Sequence, residues 1–135
     1  MQYYRVKSRV IPGSSYSQVR NFALQYYRCI AHTTKRLPYI KSIYFKKRKI
    51  FLHHFWQHLF EKTPKDRTRR LRFFMCGIEL IRTTRYKPEI MVSKKSNREK
   101  WYRFFGKTQN NEKFVVQIKE TKQNQLFLMS IFPYK

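Results

Sequence analysis

Acidic side chains are scarce in this sequence. Its 135 residues contain 7 Asp and Glu against 31 Lys and Arg, a formal net charge of +24. Residues 1–60 contain no acid at all. Metal-dependent nucleases need several carboxylates around their divalent ions, whereas the acids here are scattered singly along the chain. The composition therefore disfavours metal chemistry, and we expect neither a metal site nor a cofactor.

Cysteine, glycine and long apolar runs are also few. Cys29 and Cys76 do not make a disulfide scaffold or a zinc site, and we expect both to be buried thiols in a reducing cytoplasm. The 3 glycines argue against a collagen-like or glycine-rich chain. No run approaches about 20 apolar residues, so no membrane-spanning helix is expected. The basic start of the chain lacks the apolar segment of a secretory signal.

Positive charge and aromatic residues are what the chain has in excess. Hydrophobic residues make up 41% and aromatic residues 18%, which suffices for a packed core and argues against a disordered tail. A charge surplus of this size binds polyanions, and counterion release favours nucleic acid. We expect RNA as the partner, with an anionic membrane surface as the competing one.

Hydrophobic periodicity predicts an α+β fold, with N-terminal helices followed by a C-terminal antiparallel meander of about four strands. Helices are expected over residues 16–35, 53–61 and 64–83, the last with Thr63 as N-cap. Strands are expected at about 89–93, 100–106, 113–120 and 125–132. Residues 39–52 fit either a small hairpin with a basic tip or a loop between helices.

Two regions are distinguished along the chain. Residues 1–49 are expected to form a basic N-terminal arm and helix, and residues 50–135 the main core, together one compact domain. The Pro12-Gly13-Ser14-Ser15 stretch is a turn or linker signal between the arm and the first helix.

Alternation along the last three strands predicts which side chains share a face. One face of the last strand is expected to carry Phe127, Met129 and Ile131, and the other Leu126, Leu128, Ser130 and Phe132. If the helices bury one side of the sheet, the other side presents Arg103, Gln117, Lys119 and Ser130. The face taken by Arg103 depends on strand register, which the local pattern leaves open.

The available polar residues suit RNA cleavage without a metal. RNA supplies its own nucleophile, the 2′-OH, and needs only a general base, a general acid and cations for the phosphorane-like transition state. His54 and His58 are four residues apart and therefore lie on one face of a helix. The same spacing binds zinc in some proteins, but no H-E-x-x-H motif is present here.

Two basic groups are candidates for binding the RNA backbone. Arg67 and Arg70 belong to an arginine-rich helix that is either a solvated face or an RNA track, and the net charge favours the track. Lys94, Lys95 and Arg98 lie between two predicted strands, in either a solvated loop or a phosphate-binding loop.

Several motifs in residues 50–135 occur in the order found in one nuclease group. They are Ile50-Phe51-Leu52 before Phe55-Trp56-Gln57-His58-Leu59, then Arg69-Arg70-Leu71, Trp101-Tyr102-Arg103-Phe104-Phe105-Gly106, Phe114-Val115-Val116-Gln117-Ile118-Lys119-Glu120 and Leu126-Phe127-Leu128-Met129-Ser130-Ile131-Phe132-Pro133. In this order they resemble the phage-associated branch of ribonuclease toxins with the barnase–EndoU–colicin D–RelE-type (BECR) fold. The long basic segment of residues 1–49 departs from that family.

The resemblance implies a metal-independent endoribonuclease, a toxin cleaving tRNA or mRNA. It also implies an active face carrying His58, Arg103, Lys119 and Ser130. His58 is then a general acid or base and Arg103 stabilises the phosphate, while Lys119 and Ser130 bind phosphate or orient the scissile group. A toxin of this charge is expected to need an acidic antitoxin or immunity protein. The alternatives are a non-catalytic RNA- or DNA-binding protein, or an adaptor that kept the fold without the chemistry.

Overall fold

The computed structural model describes residues 2–92 and 99–134. Over these residues the chain forms four helices and seven strands. They are β1 (Tyr4–Arg5), α1 (Tyr16–His32), β2 (Tyr39–Ser42), β3 (Arg48–Phe51), α2 (His53–Phe60), α3 (Pro64–Leu71), α4 (Phe74–Thr83), β4 (Glu89–Val92), β5 (Lys100–Lys107), β6 (Lys113–Glu120) and β7 (Leu126–Pro133).

The strands form one mixed sheet, curled into a half-barrel, and the predicted fold of N-terminal helices followed by a four-stranded meander is wrong. The strand order is β1-β5-β6-β7-β3-β2, with β4 also paired to β5. Strand β3 joins β7 in parallel, and β1 joins β5 in parallel. Each of these pairings involves two residues per strand and joins distant parts of the chain. Local periodicity carries no signal for such contacts.

Residues 39–52 form the hairpin, which decides between the two alternatives. Strands β2 and β3 pair antiparallel from Tyr39↔Phe51 to Ser42↔Arg48. Phe45 in the connecting turn is buried, with its ring centroid 4.9 Å from that of Tyr102. The tip of the hairpin is therefore anchored to the core by an aromatic contact.

The predicted helix over 64–83 is two helices. Thr63 caps the first as expected, since its side chain accepts a hydrogen bond from the Asp66 amide. The carbonyl of Arg72 accepts a hydrogen bond from the backbone N–H of Ile11, at 2.8 Å. The Arg72 side chain donates to the carbonyls of Ile11 and Gly13. The helix is interrupted at Arg72 because both the backbone carbonyl and the side chain of this residue are hydrogen-bonded to the N-terminal segment.

The first residues are fixed against the core. Val6 and Ile11 are completely buried. The Glu79 carboxylate on α4 accepts hydrogen bonds from the backbone N–H groups of Lys7 and Ser8, at 2.7 and 2.8 Å, and from the Ser8 hydroxyl at 2.6 Å. The chain before residue 50 thus shares its sheet and its hydrophobic core with the chain after it.

A buried carboxylate joins the hairpin to the centre of the sheet. Glu120 accepts hydrogen bonds from the Tyr102 hydroxyl at 2.7 Å and from the Arg48 guanidinium at 3.1 Å. Burial by itself would raise the pKa of Glu120, but these two hydrogen bonds and the charge of Arg48 hold it below its ordinary value. Burial and the Glu120 contact raise the pKa of Tyr102.

Glu120 should therefore make folding stability depend on pH. A carboxyl group whose pKa is lower in the folded than in the unfolded chain stabilises the fold above its unfolded pKa, and this contribution is lost as pH falls through the folded pKa. We expect the Tm of the wild type to fall more steeply below about pH 5 than that of Glu120→Gln. Thermal melts from pH 7 to acid measure this, with exposed Glu112→Gln as the control. Parallel curves for wild type and Glu120→Gln would contradict it.

Candidate functional site

The sheet has one face packed into the core and a second face, here called the open face. Strands β5, β6 and β7 are paired side by side, and residues that pair directly project from the same face of the sheet. The core side carries Tyr102, Phe104, Val116, Ile118 and Leu128, among others. The open face carries the partly exposed Trp101, Arg103, Gln117, Lys119, Phe127 and Phe132. Phe105, Val115 and Ser130 are on the same face but are buried.

A β-bulge in β7 decides what this face presents. Ile118 pairs with Leu128 and Gln117 with Ser130, so Met129 is the extra residue. The alternation predicted for β7 is consequently wrong before the bulge, where Leu126 and Leu128 face the core. After the bulge it holds, and Ser130 lies opposite Gln117 on the open face. Without the extra residue Ser130 would point into the core.

Three polar side chains form a line across β5, β6 and β7. With the Gln117 amide oriented to satisfy both neighbours, its oxygen accepts hydrogen bonds from Arg103 Nε at 2.9 Å and Nη2 at 3.1 Å. Its nitrogen donates to Ser130 Oγ at 2.9 Å. The Ser130 hydroxyl hydrogen and Arg103 Nη1 are not used in these bonds, so both can serve a ligand.

A small cleft with a free volume of about 10 Å³, room for about one water molecule, lies at the Ser130 end of this line, between β7 and helices α2 and α3. His58, Lys62, Arg70 and Ser130 are its polar lining. The remaining lining is apolar and comes from Phe55, Leu59, Met129 and Ile131. Helix α2 explains the position of His58, because Phe55 and Leu59 bury one side of the helix and leave the histidines on another.

His58 is held by a neighbour and stays accessible. Its Nδ1 lies 3.4 Å from a carboxylate oxygen of Glu61, and its side chain is 37% exposed. Of the predicted catalytic residues, His58 and Ser130 line this cleft. Arg103 does not line it and is connected to Ser130 through Gln117.

Arg70 brings a second guanidinium to the cleft. Its Nε donates to Asp66 at 3.0 Å, and its guanidinium lies 5.2 Å from the centre of the Phe132 ring. Burial would raise the pKa of Asp66, but hydrogen bonds from Arg69 and Arg70 lower it. The ionised Asp66 orients Arg70. Arg67, by contrast, donates to the Phe60 carbonyl at 2.7 Å and so caps the end of α2.

Lys119 lies on the open face two residues along β6 from Gln117. Its ammonium group is 3.1 Å from Glu99 and 5.7 Å from the centre of the Trp101 ring. It faces Phe127 across the strand pair. Lys119 thus shares the face of Arg103 and Ser130, in the next row of side chains.

His54 is a candidate that the sequence interpretation passed over. Its ring lies 4.5 Å from that of Phe127 on the open face. Burial, then His53, then Lys119 lower the pKa of His54. The spacing of four residues to His58 was the available signal, because residues so spaced lie on one face of a helix, with Cβ atoms about 5–6 Å apart.

The remaining predicted binding residues, Lys94, Lys95 and Arg98, lie outside the described residues. Within residues 2–92 and 99–134, no three His, Cys, Asp or Glu side chains lie close enough together to hold a metal ion. Of the two cysteines, Cys76 is buried, but Cys29 is exposed, so the expectation of two buried thiols is wrong for Cys29. In the same parts of the chain, every helix is too short or too polar to cross a membrane.

A comparison of the chain with protein-family models, with curated proteins and with solved structures finds no match.

Proposed function

We propose that this protein is a metal-independent endoribonuclease that cleaves RNA by attack of the 2′-OH on the adjacent phosphate. The observation that carries the proposal is the hydrogen-bonded line Arg103–Gln117–Ser130, which ends in the cleft lined by His58 and Arg70. This arrangement combines an acid–base group, two guanidinium groups and a hydroxyl. The proposed chemistry therefore needs no metal ion.

His54 and His58, two of the three histidines on α2, divide the proton transfers. His54, one helical turn before His58 on α2 and with a pKa lowered by burial, His53 and Lys119, accepts the proton of the 2′-OH. The O2′–P bond forms, the P–O5′ bond breaks, and His58 donates a proton to the leaving 5′-oxygen. The products are a 2′,3′-cyclic phosphate and a 5′-hydroxyl, so atoms and charge balance without water.

The cations stabilise the charge that builds up on the phosphate. Arg103 and Arg70 offer planar N–H groups that match phosphate oxygens, and Ser130 can donate its hydroxyl hydrogen. Gln117 and Asp66 position the two guanidinium groups before substrate arrives, which lowers the reorganisation needed in the transition state.

Charge and sequence motifs point in the same direction. The net charge of +24 favours a polyphosphate substrate, and the motifs resemble ribonuclease toxins of the BECR type. We infer that such a toxin, acting on tRNA or mRNA in the cytoplasm, is neutralised by an acidic antitoxin or immunity protein that covers its cationic surface.

The proposal is tested by incubating the purified protein with total tRNA and with ribosome-bound mRNA in EDTA. We expect cleavage that EDTA does not reduce, with 2′,3′-cyclic phosphate and 5′-hydroxyl ends on mapped fragments. Intact RNA in both substrates, or 5′-phosphate ends, would overturn it. RNA with 2′-O-methyl groups is the matched substrate control, since it lacks the nucleophile.

A second candidate is a non-catalytic nucleic-acid-binding protein. It is favoured by the net charge of +24, which binds a polyanion whether or not a reaction follows. This role predicts tight, steeply salt-dependent binding without cleavage. Replacing Arg103 would then cost affinity and nothing else.

A further inference from the structure

A row of aromatic side chains crosses the open face next to the polar line. Direct cross-strand pairing runs Tyr39↔Phe51, Phe51↔Phe127, Phe127↔Lys119 and Lys119↔Trp101. Directly paired residues project from the same face. The row therefore extends over five strands, or roughly 19 Å at about 4.8 Å per strand.

Lysine side chains are interleaved with these rings. Lys49 Nζ lies 4.6 Å from the centre of the Tyr39 ring, and Lys119 Nζ lies 5.7 Å from that of Trp101. Phe51 and Phe127 are in ring contact, with centroids 5.9 Å apart. The row thus has a lysine ammonium group beside the ring at each of its two ends.

Contacts within the chain cover these rings only in part: the rings of His53 and His54 on α2 lie against Phe127, with centroids 5.7 and 4.5 Å away. The core side of the same strands carries fully buried Val116, Ile118 and Leu128, whereas Tyr39, Phe51, Phe127 and Trp101 are only half-buried. A line of partly exposed rings on a sheet whose other face already supplies the core indicates a binding surface.

We propose that this aromatic row is a stacking platform for the unpaired bases of a single-stranded nucleic acid. Bases stack on aromatic side chains whatever their identity, and lysines between the rings bind the phosphates. A duplex cannot use the platform, because its bases are already paired and stacked. The substrate class is therefore RNA that is single-stranded where it lies on the open face.

The platform adjoins the cleavage site. Trp101 and Lys119 lie two residues from Arg103 and Gln117 on their strands, a step of about 6.7 Å. A nucleotide stacked on the row therefore brings its neighbouring phosphate toward Arg103. The identification of the strand as substrate rests on the proposed function, but base stacking can be measured without any cleavage.

The test uses fluorescently labelled oligodeoxynucleotides, which lack the 2′-OH and cannot be cleaved by this chemistry. Three probes of equal length are compared by anisotropy at one salt concentration: a single strand, its duplex, and an abasic strand. Charge alone favours the duplex, which has the higher charge density. We expect the single strand to bind more tightly than both other probes, by about 10-fold or more.

Variants locate the effect on the row. Trp101→Ala and Tyr39→Ala, at its two ends, should each weaken single-strand binding about 5- to 100-fold and leave duplex binding unchanged. Trp101→Phe should retain most of the affinity because a ring remains. Phe22→Ala, at an aromatic residue of α1 that is 43% exposed and outside the row, is the matched control. Circular dichroism verifies that each variant is folded.

The outcomes separate the two proposals. Equal or tighter binding of the duplex, or a Trp101→Ala effect no larger than that of Phe22→Ala, would overturn the platform. A preference for the single strand in a protein that leaves RNA intact would support the platform and overturn the ribonuclease. Cleavage of RNA by a protein without that preference would support the ribonuclease and overturn the platform.

Discussion

Replacing His58 with alanine is expected to lower the rate of RNA cleavage by about 10²- to 10⁴-fold, the usual contribution of a general acid or base. His58 lines the cleft with Ser130 and Arg70, and no other histidine of the described residues lines it. RNA binding should change little, because phosphate contacts from the arginines remain. Single-turnover cleavage and filter binding of 2′-O-methyl RNA measure the two quantities separately.

His32→Ala is the matched control for this experiment. His32 is exposed at the end of α1, so its loss should leave cleavage unchanged. Full activity of His58→Ala would remove the acid–base role and with it the proposed mechanism. A large loss of binding with unchanged chemistry would assign His58 to substrate binding.

Replacing Phe74 with alanine is expected to reduce the free energy of unfolding by about 3–5 kcal/mol. Phe74 is completely buried where α1, α2 and α4 meet. Its ring centroid lies 5.2 Å from that of Phe55, 5.5 Å from Trp56 and 6.0 Å from Tyr26. Truncation removes these contacts, and the surrounding rings are too rigid to fill the space left behind.

Urea denaturation of Phe74→Ala and wild type measures this loss as a shift in the transition midpoint at constant slope. Phe22→Ala, at a position 43% exposed, should change stability by less than about 0.5 kcal/mol. A cost for Phe74→Ala close to that of the control would contradict the assignment of Phe74 to the centre of the core. The geometry of the cleft should also change, because Phe55 packs on Phe74 and positions α2.

The helix starts and the long strands could be predicted from the sequence because their signals are local. Thr63 caps a helix, Phe114, Val116 and Ile118 alternate toward the core, and α1 keeps an apolar stripe. Each signal depends on residues within one or two turns or within one strand, where backbone geometry dictates the period.

Local signals could not predict the break between α3 and α4. They also could not predict the course of residues 2–15. Both depend on one set of long-range hydrogen bonds, between Ile11 and Arg72 and between Glu79 and the backbone of Lys7 and Ser8. The apolar stripe continues across residues 72 and 73, so the sequence pattern resembles a single helix even though the backbone is interrupted.

The amino-acid sequence by itself determined the charge, the lack of clustered carboxylates, most helices and strands, and the chemistry available for a site. Only the tertiary structure decided the mixed seven-stranded sheet, the parallel pairing of β3 with β7, and the bulge at Met129. That bulge aligns Ser130 with Gln117 and Arg103, and the parallel pairing adds Phe51 and Tyr39 to the aromatic row. The physical reason is that register and pairing are set by contacts between segments far apart in the chain, for which a period read within one segment carries no information.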